Sequence, residues 1–209
     1  MKLSIIWRLS DREEKNLITG NSLQKQLEGY TGDIQLLIYK GNGQTFEETF
    51  TGKNLDISIY DINRIPENSN IFEDAKSHVT GKYVTFVDSG DRWSDGAVVH
   101  LATELAAYNK STVIMMKKCR PDGAVDAFAG DTTGKKVIDQ VLRKKFHCHP
   151  FYFGGTILRT DKMNKLEFKN EYKQAMEQAS MLDICAKEKN VLYICLLYTS
   201  DAADDRISV

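Results

Sequence analysis

GKYVTFVDSGDRWSDG, Gly81 to Gly96, contains an apolar run, Tyr83–Val87, that stops abruptly at Asp88-Ser89-Gly90-Asp91. A short β-branched and aromatic run of this kind reads as a buried strand. Two carboxylates, three positions apart, then stand at its carboxyl end. Ligands of open α/β sheets bind beyond the carboxyl ends of the strands, so the pair is a candidate site. Asp-Ser-Gly-Asp is also a good turn sequence, and residue type alone leaves both readings open.

The segments around this stretch alternate between strand and helix patterns. Leu3–Trp7, Ile34–Tyr39 and Thr112–Met116 are short apolar runs, and Leu55–Tyr60 alternates as a more exposed strand would. Phe151–Phe153, Thr156–Arg159 and Val191–Cys195 follow as later strand candidates. Helical spacing appears over Asp11–Leu27, Asn70–Val79, Ala97–Tyr108, Val137–Lys145 and Tyr172–Lys187. Pro121–Lys136 is rich in Gly and Asp and reads as a surface excursion. Strand–helix alternation predicts an α/β fold with a mostly parallel central sheet flanked by helices.

At 209 residues the chain has the length of about one domain and can bury a substantial core. Its 28 Lys and Arg nearly balance 29 Asp and Glu, which gives no bulk attraction to nucleic acid; no nucleic-acid partner is expected. No apolar run approaches the length of a membrane span. Leu3–Trp7 is too short, and too soon followed by charges, for a signal peptide, so a cytoplasmic location is expected. The four cysteines, Cys119, Cys148, Cys185 and Cys195, have no paired spacing and suit a reducing compartment.

GKYVTFVDSGDRWSDGAV resembles the family 2 glycosyltransferases, which have the GT-A fold. The strand at Leu3–Ile6 followed by a helix, and FYFGGTILRTDKM at Phe151–Met163, are similar to two further features of that family. The resemblance covers most of residues 1–194 and implies a Rossmann-like nucleotide-sugar-binding half. It also implies transfer of a sugar, with inversion, from a nucleotide-sugar donor to a glycan or lipid-linked acceptor. The wording TGKYVTFVDS also resembles domains fused to glycerophosphotransferases that make teichoic-acid-like polymers, which places the expectation in cell-envelope polysaccharide synthesis at the inner face of the membrane.

A leaving nucleoside diphosphate must be neutralised, and carboxylate-held Mg²⁺ or Mn²⁺ does this in the family. The resemblance puts the first metal-site carboxylate on Asp88, the second on Gly90, which has no ligand, and a following acid on Asp91. Asp88 and Asp91 are therefore the expected metal residues, and Lys40, Gly41 and Asp88 the expected donor contacts. The family's nucleoside-binding Asp-Asp-Gly-Ser corresponds to Tyr39-Lys40-Gly41-Asn42, and its Pro-x-Tyr-Asn to Trp7-Arg8-Leu9-Ser10. The catalytic base falls near Glu177, whose carboxylate would deprotonate the acceptor hydroxyl. Because charged ligands are replaced while the glycine framework persists, the pattern is that of an impaired or degenerate active site.

The same residues support a second reading, a non-catalytic transferase-like module that binds a glycan or scaffolds a fused or missing C-terminal domain. A nucleotidyltransferase-like enzyme would call for a Gly-rich loop after the first strand, and Trp7–Ser10 supplies none. His147-Cys148-His149 has no second pair at zinc-like spacing and reads as a loop. Trp93 reads as a lid or packing residue, Arg159 as a surface ion-pair former and Cys185 as a buried inert thiol. CLLYTSDAADD, Cys195–Asp205, resembles a translated sequencing adapter, so residues 195–209 are expected to be a non-native tail after a domain spanning 1–194.

Overall fold

Leu3, Ile5, Ile6 and Trp7 are all buried, as expected of a strand covered on both faces. The computed structural model describes residues 2–41, 44, 50–107, 113–119, 125–126, 130–142 and 153–199. In chain order the elements are β1 (Leu3–Arg8), α1 (Glu13–Gly29), β2 (Ile34–Lys40), β3 (Leu55–Asp61), α2 (Ile71–Lys76), β4 (Tyr83–Asp88), β5 (Arg92–Trp93) and α3 (Ala97–Ala107). They continue with β6 (Val113–Cys119), β7 (Val125–Asp126), β8 (Gly130–Thr132), α4 (Gly134–Leu142), β9 (Thr156–Arg159), α5 (Thr160–Met163), α6 (Met176–Lys187) and β10 (Val191–Thr199).

The sheet order is β3-β2-β1-β4-β9-β6-β10-β5, with β7 on β6 and β8 on β10. β3, β2, β1 and β4 are mutually parallel. β9 is antiparallel to both β4 and β6, so β6 points the same way as β4, and β10 runs parallel to β6. The chain steps outward from β1 to β2 and β3, then returns to place β4 on the other side of β1. That reversal makes the carboxyl ends of β1 and β4 a topological switch point, where such sheets open a crevice.

Strand alternation sorts the core into two layers. Leu3, Ile5 and Trp7 of β1, Ile34, Leu36 and Ile38 of β2, and Tyr83 and Val87 of β4 share one cluster with Leu23 and Leu27 of α1 and Val98, Leu101 and Leu105 of α3. Ile6, Leu37, Tyr39, Val84 and Phe86 face the other way, against Phe72 and Ala75 of α2 and Met181, Ile184 and Cys185 of α6. Burial pushes the Cys185 thiol up to about 12, so it stays protonated and unreactive.

The boundaries differ from the sequence reading in instructive places. α1 starts at Glu13 rather than Asp11 and runs on to Gly29, past the expected end at Leu27. α2 is shorter than the expected Asn70–Val79: Asn70 is its N-cap, accepting from the N–H groups of Phe72 and Glu73, and the helix ends at Lys76. The excursion at Pro121–Lys136 includes β7 and β8, which extend the sheet through β6 and β10, and the start of α4. A 3₁₀ turn, Asn170–Ala175, replaces the first part of the expected last helix. β10 continues to Thr199, and its pairing with β6 shifts register between Ile194 and Leu197.

Candidate functional site

Arg8 ends β1 and Asp88 ends β4, and parallel pairing sets the two side by side. Both follow the parity of Ile6 and Phe86, so they emerge on the α2–α6 face of the sheet. Arg8 donates from Nε to Asp88 Oδ1 at 3.0 Å, and its Nη2 lies 2.7 Å from the same oxygen. This charge-assisted pair is only partly withdrawn from water, with side chains 38% and 23% exposed. The Asp88 carboxylate, more than any other group, holds the Arg8 pKa above its ordinary value; Glu177 and Asp91 add to this, against burial, which lowers it.

Arg8, Asp88 and Glu177 line one cleft, over a floor that includes Ile6, Phe72, Phe86 and Phe153. The three phenylalanines interlock, with ring centroids 4.8–5.2 Å apart. Glu177 stands in the first turn of α6, where a carboxylate suits the helix dipole. It is 8% exposed, and Oε2 accepts the Phe153 N–H at 3.2 Å. Residues from three distant parts of the chain thus converge, with one cation beside two carboxylates above an aromatic base.

The Asp88–Asp91 turn assigns its two carboxylates different work. Asp91 N–H donates to Asp88 O at 3.0 Å, closing the turn, and Asp91 Oδ2 accepts the Asp88 N–H at 2.7 Å. Asp91 is 1% exposed and faces the turn's own backbone. Gly90 has φ +101°, a positive value that glycine adopts without the strain a side chain would bring. Its N–H is shared between Lys15 O at 3.0 Å and Thr19 Oγ1 at 2.9 Å, both on α1. The Ser89 hydroxyl accepts from Trp7 Nε1 at 3.0 Å and Ser10 N at 3.2 Å, and donates to Asn16 Oδ1. These bonds tie the turn to the β1–α1 connection, which fixes where Asp88 points.

The remaining sequence candidates lie elsewhere. Lys40 and Gly41 are at the carboxyl end of β2, but Lys40 has the parity of Ile34, Leu36 and Ile38 and so belongs to the opposite face from Asp88. Neither lines the Arg8–Asp88–Glu177 cleft; Gly41 N–H donates to Gln44 Oε1 at 2.7 Å, and Gln44 in turn donates to Asp11. Trp93 is a packing residue, 5% exposed in the α1–α3 layer. Arg159 pairs with Asp161 at 2.6–2.7 Å. His147-Cys148-His149 lies outside the described residues. Among the described residues no three His, Cys, Asp or Glu side chains are gathered as metal ligands. Arg8 is the residue that sequence reasoning missed. Its signal was a lone charge closing an apolar strand whose parallel neighbour closes on an acid.

The chain is similar in structure to residues 1–349 of TarS from S. aureus, with a TM-score of 0.70 at 17% identity, over 99% of this chain and 62% of that one. The fold is GT-A. Against the same TarS segment in complex with UDP-GlcNAc the TM-score is 0.71 at 16% identity, over 100% of this chain and 61% of that one. A mannosyltransferase, PcManGT from Pyrobaculum calidifontis, in complex with GDP-Man and Mn²⁺, gives 0.60 at 10% identity, over 95% of this chain and 56% of that one. No protein-family model and no curated sequence matches the chain. The chain therefore spans about three fifths of the GT-A neighbours it resembles. Among the described residues no helix is long and apolar enough to cross a membrane.

Proposed function

We propose that the cleft at the ends of β1 and β4 is the donor site of a glycosyltransferase domain that takes a nucleotide sugar and passes its sugar to a glycan or lipid-linked acceptor. The observation that carries this reading is the convergence of Arg8, Asp88 and Glu177 at the switch point of a GT-A sheet. Arg8 offers N–H donors to a diphosphate, Asp88 holds Arg8 in place and accepts from the donor, and Glu177 is the base for the acceptor hydroxyl. UDP-GlcNAc is the first donor to try, because it is the sugar nucleotide bound by TarS. The role in cell-envelope polysaccharide synthesis, on the cytoplasmic face of the membrane, rests on the TGKYVTFVDS wording.

Slow turnover is part of the proposal, since Asp88 is committed to Arg8 and Gly90 supplies no second carboxylate. The same commitment favours the alternative, a binding module without catalysis. Calorimetry with UDP and UDP-GlcNAc, followed by assay of sugar release, separates the two. Binding is expected for both ligands. Asp88→Asn removes the anion that orients Arg8 and should weaken UDP about tenfold, the scale of one charge-assisted hydrogen bond. Undiminished UDP binding by Asp88→Asn would remove the cleft from the account; binding with no sugar release would select the module.

A further inference from the structure

We propose that Arg8 is the resident cation of this cleft: its guanidinium takes the place on Asp88 that a divalent metal would need, so that a nucleoside diphosphate is held without a metal. The first half of this proposal concerns Asp88 alone; the second half rests on the donor-site reading above.

A hard divalent cation needs several oxygen ligands at short range. Here Asp88 Oδ1 already accepts two guanidinium contacts, at 2.7 and 3.0 Å. Asp91 is buried against the turn with Oδ2 on the Asp88 N–H, and Gly90, at φ +101°, brings no side chain. An ion seated on Asp88 would also lie against the positive charge of Arg8, which costs Coulomb energy at contact distance. The donor set therefore does not fit a metal while Arg8 is present.

The guanidinium fits the anionic ligand instead. It has more N–H donors than the two that Asp88 occupies, and its planar fork matches phosphate oxygens. It is 38% exposed and opens into the cleft, so those donors can be reached. Asp88 fixes its position through the two guanidinium contacts.

The test is Mn²⁺ binding followed by electron paramagnetic resonance, without nucleotide, on the whole chain and on Arg8→Ala and Arg8→Ala/Asp88→Asn. Arg8→Ala is expected to bind Mn²⁺ at least tenfold more tightly than the unaltered protein, and Asp88→Asn to abolish the gain. Arg8→Gln, closer in shape, serves if the alanine variant folds poorly. In parallel, calorimetry of UDP on the unaltered protein should give the same affinity, within about twofold, in EDTA and in Mn²⁺, with a loss of about tenfold in EDTA for Arg8→Ala. UDP binding that requires Mn²⁺, or Mn²⁺ affinity unchanged by loss of Arg8, overturns the proposal. If UDP fails to bind under either condition, the donor-site reading fails, while the Mn²⁺ arm still decides whether Arg8 excludes metal from Asp88.

Discussion

Tyr39→Asp, which puts a carboxylate where the resemblance to family 2 glycosyltransferases expects one, is expected to unfold most of the protein rather than improve nucleotide binding. Tyr39 is 0% exposed and faces the α2 layer, away from solvent. Its hydroxyl donates to Asp74 Oδ2 at 2.7 Å, and its ring stacks on Tyr60 with centroids 5.2 Å apart. Burial, and then the Asp74 bond, hold the phenol's pKa above its usual value, so it remains a donor at every working pH. Removing a buried aromatic ring costs about 3–5 kcal/mol. Placing a carboxylate beside Asp74 adds like-charge repulsion and desolvation to that loss. A domain is stabilised by only about 5–15 kcal/mol, so the sum consumes most of it. Gly90→Asp, at the Asp88–Asp91 turn, should cost roughly 1–2 kcal/mol, because a side chain is strained at positive φ. Urea unfolding of Tyr39→Asp, Tyr39→Phe and Gly90→Asp checks this. The phenylalanine variant should lose only about 1 kcal/mol. A folded, stable Tyr39→Asp would mean that β2 presents this position to the ligand after all.

Under the proposed function, Glu177→Gln should lower sugar release from UDP-GlcNAc by about 10²–10⁴-fold, the usual contribution of a positioned general base. Glutamine keeps the shape and an oxygen acceptor for the Phe153 N–H, now met by Oε2 at 3.2 Å, so the end of α6 stays docked. It cannot take a proton from an acceptor hydroxyl. UDP affinity should change little, because no proton moves when the product binds. The rate constant and the UDP dissociation constant are therefore measured together. A fall in rate with affinity intact supports the base; equal falls in both point to a packing role; an unchanged rate removes Glu177 from the chemistry.

Much of the sheet was legible because β1, β2 and β4 are buried on both faces and so read as continuous apolar runs. The parallel order followed from strand–helix alternation, and Asp88 fell at a carboxyl edge because the apolar run ended there. The site was harder to read. Strand parity sends Lys40 and Arg8 to opposite faces, and a resemblance that matches positions in a line does not carry that information. The Arg8–Asp88 pair spans 80 residues of sequence and needs the β1–β4 pairing before it exists. Gly90 read as a missing ligand, whereas its φ of +101° and two N–H acceptors on α1 make it the residue that this turn requires. Asp91 read as a second ligand because spacing cannot say which way a carboxylate turns. β7 and β8 are two and three residues long, too short for an alternating pattern to register.

A crystal structure of the chain with UDP tests the central claim most directly. The diphosphate should lie at the carboxyl ends of β1 and β4, with its oxygens on the Arg8 guanidinium and Glu177 facing the open side of the cleft. UDP bound away from Arg8 and Asp88, or held by Lys40 on the other face, would contradict it.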